Sequence, residues 1–272
     1  MRVQCVNSAQ IKQKNNNMMK FNRALIVLAG LTLFNSSAWC ASEEIQVYMD
    51  EMNAPNEFGL DIHTNYVTSG SHLPDYPGAQ APAQVLRVTP EFSYGITANW
   101  ELGAYVLTSN GTQTDSTVDG EKVRLKFLAT KEEGQHYFWG ANLEVGKVNY
   151  RLNENPWNGE LKGIVGYRDE RWTFATNPNI AWKISGPVAD PASFHLDSKM
   201  AYRTDLGFEV GMESYNEFGP LSHMGHFDQQ SQTLFAVVDV NVHGWDLDLG
   251  LGRGFTAVSD RWLVKAIISV PF

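Results

Sequence analysis

The chain closes with Trp262-Leu-Val-Lys-Ala-Ile-Ile-Ser-Val-Pro-Phe272. Trp262, Val264, Ala266, Ile268, Val270 and Phe272 share one face of an extended chain, with Lys265 and Ser269 on the other, because strand side chains alternate with period two. Such an alternation over about ten residues has the length that a tilted strand needs to cross a bilayer. A soluble sandwich can also end on a strand, but it rarely keeps one face apolar to the last residue.

Working back from that end, the pattern recurs. Trp245, Leu247, Leu249 and Leu251 alternate with Asp246, Asp248, Gly250 and Gly252, and Leu234, Ala236, Val238, Val240 and Val242 alternate with Asp239 and Asn241. Phe194, Leu196, Met200 and Tyr202 alternate with His195, Asp197, Lys199 and Arg203, as do Tyr137, Trp139, Ala141, Leu143 and Val145 with Asn142 and Glu144. Helical spacing fits these runs less well. The pattern predicts strands over residues 57–67, 84–94, 98–107, 121–129, 136–148, 157–168, 172–184, 193–203, 205–216, 232–242, 244–254 and 262–272. Short turns (Ile96-Thr97, Arg168 to Arg171, Thr204, His243) alternate with longer loops (Thr68 to Ala83, Ser109 to Gly120, Glu217 to Ser231). An even strand number and this asymmetry predict an all-β fold, a closed antiparallel transmembrane β-barrel of about twelve strands over residues 57–272. With Phe272 on the periplasmic side, Phe58, Tyr94, Trp100, Tyr137, Tyr167, Trp172, Tyr202, Trp245 and Phe272 form an aromatic belt at one lipid boundary. Tyr66, Trp182 and Trp262 stand near the other.

The front of the chain agrees with export. Met18-Met-Lys-Phe-Asn-Arg23, the apolar run Ala24 to Phe34 and the stretch ending Ser-Ala-Trp-Cys-Ala41 are the three parts of a secretory signal, with cleavage expected near Cys40 or Ala41. Translation from Met18 or Met19 would make residues 1–17 an upstream extension. The alternative, a lipoprotein anchored through Cys40, needs small residues just before the cysteine, where Trp39 stands. Residues 1–41 are thus set aside, and residues 42–56 form a segment that either enters the barrel as a partial plug or lies below it. Five of the 21 basic residues and none of the 30 acidic ones precede Ser42, which leaves 16 against 30 and a net charge of −14. That balance excludes nucleic acid as a partner. Both cysteines, Cys5 and Cys40, fall within residues 1–41, so no disulfide is expected in the barrel.

Alternation assigns to the inward face Asp61, His63, Arg87, Glu91, Glu101, Arg124, Lys126, Glu144, Glu160, Lys162, Lys183, Asp197, Lys199, Arg203, Glu209, Glu213, Asp239, Asp246, Asp248 and Lys265. These charges either pair across strands into a network that stiffens the barrel or line a watery pore, whose acidic excess favours cations or neutral polar solutes. Lys147 and Arg253 are cations on the outward face at the outer rim, where they would meet lipopolysaccharide phosphates or snorkel to the interface. No catalytic residue, metal site or cofactor is expected. His223, His226 and Asp228 have the donors of a metal site but unspecific spacing, and read as a solvated loop. Ser222 beside His223 lacks the third group and the elbow of a hydrolase. Gly250-x-Gly-x-Gly254 alternates within a strand and admits bulky neighbours, unlike a nucleotide loop.

The stretches Val88-Thr-Pro-Glu-Phe-Ser-Tyr-Gly-Ile-Thr97, Trp100-Glu-Leu-Gly-Ala-Tyr105, Asn177-Pro-Asn-Ile-Ala-Trp182, Gly250-Leu-Gly-Arg-Gly-Phe-Thr256 and Ser259-Asp-Arg-Trp-Leu-Val-Lys265 resemble a group of proteobacterial outer-membrane barrels, akin to those labelled MetA-pathway phenol-degradation proteins. The last strand, from Trp262 to Phe272, resembles the terminal signal by which the barrel-assembly machinery recognises its clients. The pattern thus reads as an outer-membrane barrel that is a narrow channel or facilitator for small solutes, and the resemblance supports the fold and implies aromatic compounds among the solutes. It brings no catalytic motif. The alternatives are a closed structural barrel with a surface role and a lipid-modifying barrel enzyme.

Overall fold

The computed structural model describes residues 44–111, 114–188 and 191–271. The upstream extension, the signal region with its cleavage point, and Phe272 lie outside the described residues. Twelve strands form one closed antiparallel ring: β1 (Phe58–Ser69), β2 (Val85–Gly95), β3 (Trp100–Gly111), β4 (Thr114–Leu128), β5 (Tyr137–Val148), β6 (Trp157–Arg168), β7 (Trp172–Ser185), β8 (Ser193–Arg203), β9 (Glu209–Pro220), β10 (Ser231–Val242), β11 (Trp245–Gly254) and β12 (Trp262–Ser269). Each strand pairs with its sequence neighbours, and β1 closes on β12 from Asp61 opposite Ser269 to Ser69 opposite Trp262. Closure leaves no edge strand with unpaired backbone.

The burial of side chains is inverted relative to a water-soluble protein. On β5, Tyr137, Trp139 and Leu143 are exposed while Asn142 and Glu144 of the opposite face are buried. Cross-strand aromatic pairs run along the short-turn end: Phe58 with Tyr94 (4.7 Å between centroids), Trp100 with Phe127 (4.9 Å), Tyr137 with Tyr167 (5.2 Å) and Trp172 with Tyr202 (4.9 Å). Directly opposed positions bring such rings into contact.

Three stretches depart from the sequence expectation. β12 ends at Ser269 instead of reaching residue 272. The Val270 amide still bonds the Leu60 carbonyl (2.9 Å), but Pro271 has no N–H to extend the ladder. The expected loop Ser109 to Gly120 is mostly strand, since β3 and β4 remain paired out to Gly111 opposite Thr114. Thr114, Thr117 and Val118 are residues that suit a pleated backbone. β9 starts at Glu209 rather than residue 205, because Thr204 alone cannot reverse the chain. The turn needs Gly207 in the left-handed region (φ +89), with the Thr204 amide bonded to the Phe208 carbonyl at 2.9 Å. Pro90 and Pro178, also without N–H, each interrupt a ladder, β2–β3 between Val88 and Glu91 and β6–β7 between Lys162 and Val165.

At the long-loop end, residues 70–84 reach residues 149–156. The Tyr76 hydroxyl donates to the Tyr150 carbonyl (2.6 Å), and the Gln80 amide donates to the Arg151 carbonyl (2.8 Å).

Candidate functional site

The interior is occupied by the chain's own N-terminal segment. Residues 44–56 have no regular secondary structure, and their partners come from opposite sides of the ring. At the short-turn end the Asn56 amide bonds the Gly95 carbonyl (2.8 Å), and Asn53 bonds Glu101 (2.7 Å) and Ser93 (2.8 Å). Also near that end, Asp50 and Glu51 pair with Arg168 (2.9 and 2.8 Å), and Lys126 reaches the Glu51 carbonyl. At mid-height Asn177, itself fully buried, holds both backbone groups of Tyr48, accepting from its amide (2.6 Å) and donating to its carbonyl (3.0 Å). Toward the long loops, Ile45 packs on Val67, Phe235, Val237 and Leu263, and Lys265 donates to its carbonyl (3.3 Å). Burying Ile45 and Val47 contributes about 1.5–3 kcal/mol each. Through these contacts residues 44–56 lie within the ring.

Tyr48 is buried. Its hydroxyl meets the Tyr105 hydroxyl (2.7 Å) and donates to Glu144 (3.2 Å). Its ring faces Lys162 (5.1 Å), Lys126 (5.3 Å) and Arg124 (5.8 Å), three cations on one aromatic body.

Around the segment the charged side chains form three networks. In the first, His63 bonds Glu91 (2.9 Å) and Arg124 bridges Glu91 and Glu101 (2.8 Å to Glu101). In the second, Lys162 pairs with Glu160 (3.2 Å) and Asp197 (3.5 Å), near Glu144, which accepts from Asn142 (2.6 Å). In the third, Lys199 reaches Glu213 (3.0 Å), Asp239 (2.8 Å) and Asp248 (3.4 Å), and Lys265 reaches Glu213 and Asp248 (3.2 Å). Arg87 is buried, and Asp61 and Lys183 are partly so. Arg203 shares a strand face with Lys199, and Asp246 with Asp248, but both lie exposed at the short-turn rim, where Arg203 pairs with Glu209 (2.7 Å) and Asp246 accepts from Asn241 (2.7 Å).

On the outward face the Lys147 ammonium sits 5.9 Å from the Trp157 ring and the Arg253 guanidinium 5.0 Å from the Trp262 ring. Ser222, His223, His226 and Asp228 are exposed in residues 221–230, which carry one 3-10 turn, Phe227–Gln229. Gly250 and Gly252 leave room for Phe235 and Lys265, since a Cβ at Gly250 would stand 2.9 Å from the Lys265 side chain and 3.1 Å from the Phe235 ring.

Sequence reasoning missed the residues that receive the segment, Asn177, Tyr105, Phe138 and Phe235 among them. A signal existed. Leu234-Phe-Ala-Val-Val238 is apolar on both faces, and a strand of that kind has something packed on each side.

No family model matches the chain, and no curated protein does. Among solved structures, the chain is similar to the COG4313 outer membrane channel from Pseudomonas putida F1, at 13% identity and a TM-score of 0.59, covering 84% of this chain and 100% of that one. The KdgM porin (9% identity, TM-score 0.52, 79% and 99% covered) and the NanC porin (10%, 0.54, 78% and 98%) are also similar. At these identities the likeness is one of fold, and it places the chain among closed barrels of outer-membrane type.

Proposed function

We propose that the protein is an outer-membrane channel for small solutes, held shut in this conformation by residues 44–56. The apolar exterior and aromatic pairs suit lipid. The observation that carries the reading is the interior. A ring of twelve strands is wider than its side chains alone can fill, and here the remaining space takes a coil held by hydrogen bonds, ion pairs and packing. Withdrawing that coil would leave a conduit lined by Glu91, Glu101, Arg124, Glu144, Lys162 and Asp197, whose acidic excess favours cations and neutral polar solutes. The likeness to the COG4313 channel and to two porins points the same way.

For the solute we infer a planar aromatic compound bearing a hydroxyl, because the place of Tyr48 would offer it the same partners: three cations around the ring, with Tyr105 and Glu144 at the hydroxyl. The resemblance to MetA-pathway phenol-degradation barrels supports this class.

Single-channel recording in planar bilayers tests the proposal. Deleting residues 44–54 should convert rare openings into a sustained, weakly cation-selective current, and charge reversal at Glu209 and Asp239 should shift the reversal potential toward anions. A folded barrel without current in either form would leave a structural barrel.

A further inference from the structure

Asp61 and His63 stand two residues apart on β1, hence on one face, and Glu91 lies directly opposite Asp61 in the β1–β2 ladder. One donor atom from each lies within 4.8 Å of the other two. His63 and Glu91 are 2% and 1% exposed, and Nδ1 of His63 is buried with no hydrogen-bond partner. We propose that Asp61, His63 and Glu91 bind one divalent transition-metal ion of the zinc class inside the barrel.

The donor set is the first support. One imidazole nitrogen with two carboxylate oxygens is a mixture that zinc and its neighbours accept, with water completing the shell. Rigidity is the second. Three donors on two hydrogen-bonded strands hold their spacing without loop ordering. Charge is the third. Arg124 is shared by Glu91 and Glu101, so with Asp61 three carboxylates stand against one guanidinium, and a divalent ion beside a neutral imidazole offsets the excess of two. Glu91 gives Oε1 to Arg124 and Oε2 to His63, which leaves Arg124 as the outer group that orients a ligand carboxylate.

The test uses the folded barrel purified without a polyhistidine tag and stripped with a chelator. Cobalt(II) is titrated while its visible d–d absorption is followed, and bound zinc is counted by elemental analysis. One ion per barrel is expected, with more than about tenfold weaker binding in His63→Gln. Asp61→Asn should do the same while sparing the Glu91–Arg124–Glu101 bridge, so a loss there reflects a missing ligand rather than a collapsed network. The loop variant His223→Gln/His226→Gln should keep the site. No stoichiometric uptake by the wild type, unchanged uptake in both His63→Gln and Asp61→Asn, or loss in the loop variant would overturn the proposal. None of these readouts involves current, so the site and the channel stand or fall separately.

Discussion

Replacing Lys265 with Met asks whether the interior charges are locked together or hydrated. The ammonium is buried, with 1% of its side chain exposed, and is held by Glu213 (2.5 Å), Asp248 (3.2 Å), Tyr215 (3.5 Å) and the Ile45 carbonyl (3.3 Å). Methionine keeps the length of the stem and removes the charge. Breaking a buried pair by taking one partner costs about 3–5 kcal/mol, because the other charge is left uncompensated. Glu213 keeps Lys199 at 3.0 Å, and Asp248 has a side chain 20% exposed, so the lower end applies: about 3 kcal/mol, or roughly a hundredfold in the folding equilibrium. Reversible urea unfolding in lipid vesicles, followed by tryptophan fluorescence, measures it. The double variant Lys265→Met/Glu213→Gln should cost less than the sum of the single changes, since the second removes the charge that the first orphaned. A cost below about 1 kcal/mol for Lys265→Met would refute the locked network and return the charges to water.

Leu249→Arg places a charge on the lipid face near mid-height and should cost about 2–4 kcal/mol, against about 0–1 for Val242→Arg at the boundary; a reversed order in the same unfolding assay would mean that the faces are misassigned. Deleting Phe272 should lower the amount of heat-modifiable barrel in outer-membrane fractions more than any single change in a loop, if the machinery reads the end of the chain. Neutralising Lys147 and Arg253 together should reduce co-purifying lipopolysaccharide at unchanged yield, whereas equal lipid would leave only the contacts with Trp157 and Trp262. In the β6–β7 turn, the Trp172 amide, then the Arg171 amide, then the Tyr167 hydroxyl hold the Asp169 carboxyl below its usual range. A depressed carboxylate stabilises the fold above its unfolded pKa and loses that effect on acidification, so Asp169→Ala should be less stable than the wild type at neutral pH and converge with it below about pH 4.

Strand faces were legible because the pleat has a period of two, and a lipid exterior against a polar interior writes that period into every span. Ends were less so. Pro271 stops β12 by what it lacks, and the β8–β9 turn is set by Gly207 three residues beyond Thr204. Threonine and valine carry β4 through a stretch whose Gly, Asp and Ser content reads as loop. The filling of the barrel was hardest to read, since alternation reports which side a residue faces and not what meets it there. Tyr48 and Asn177 meet across a chain separation of 129 residues, and no local pattern links them.

The attachment of Ile45 has a consequence for the order of assembly. Its anchors Leu263 and Lys265 belong to the last strand, although Ile45 precedes the first. β12 therefore closes the seam with β1 and completes the seat of Ile45 in one event. A nascent ring short of its final strand would have both an open seam and an Ile45 end without its full seat, while Asn177 and Arg168 could already hold the rest of the segment.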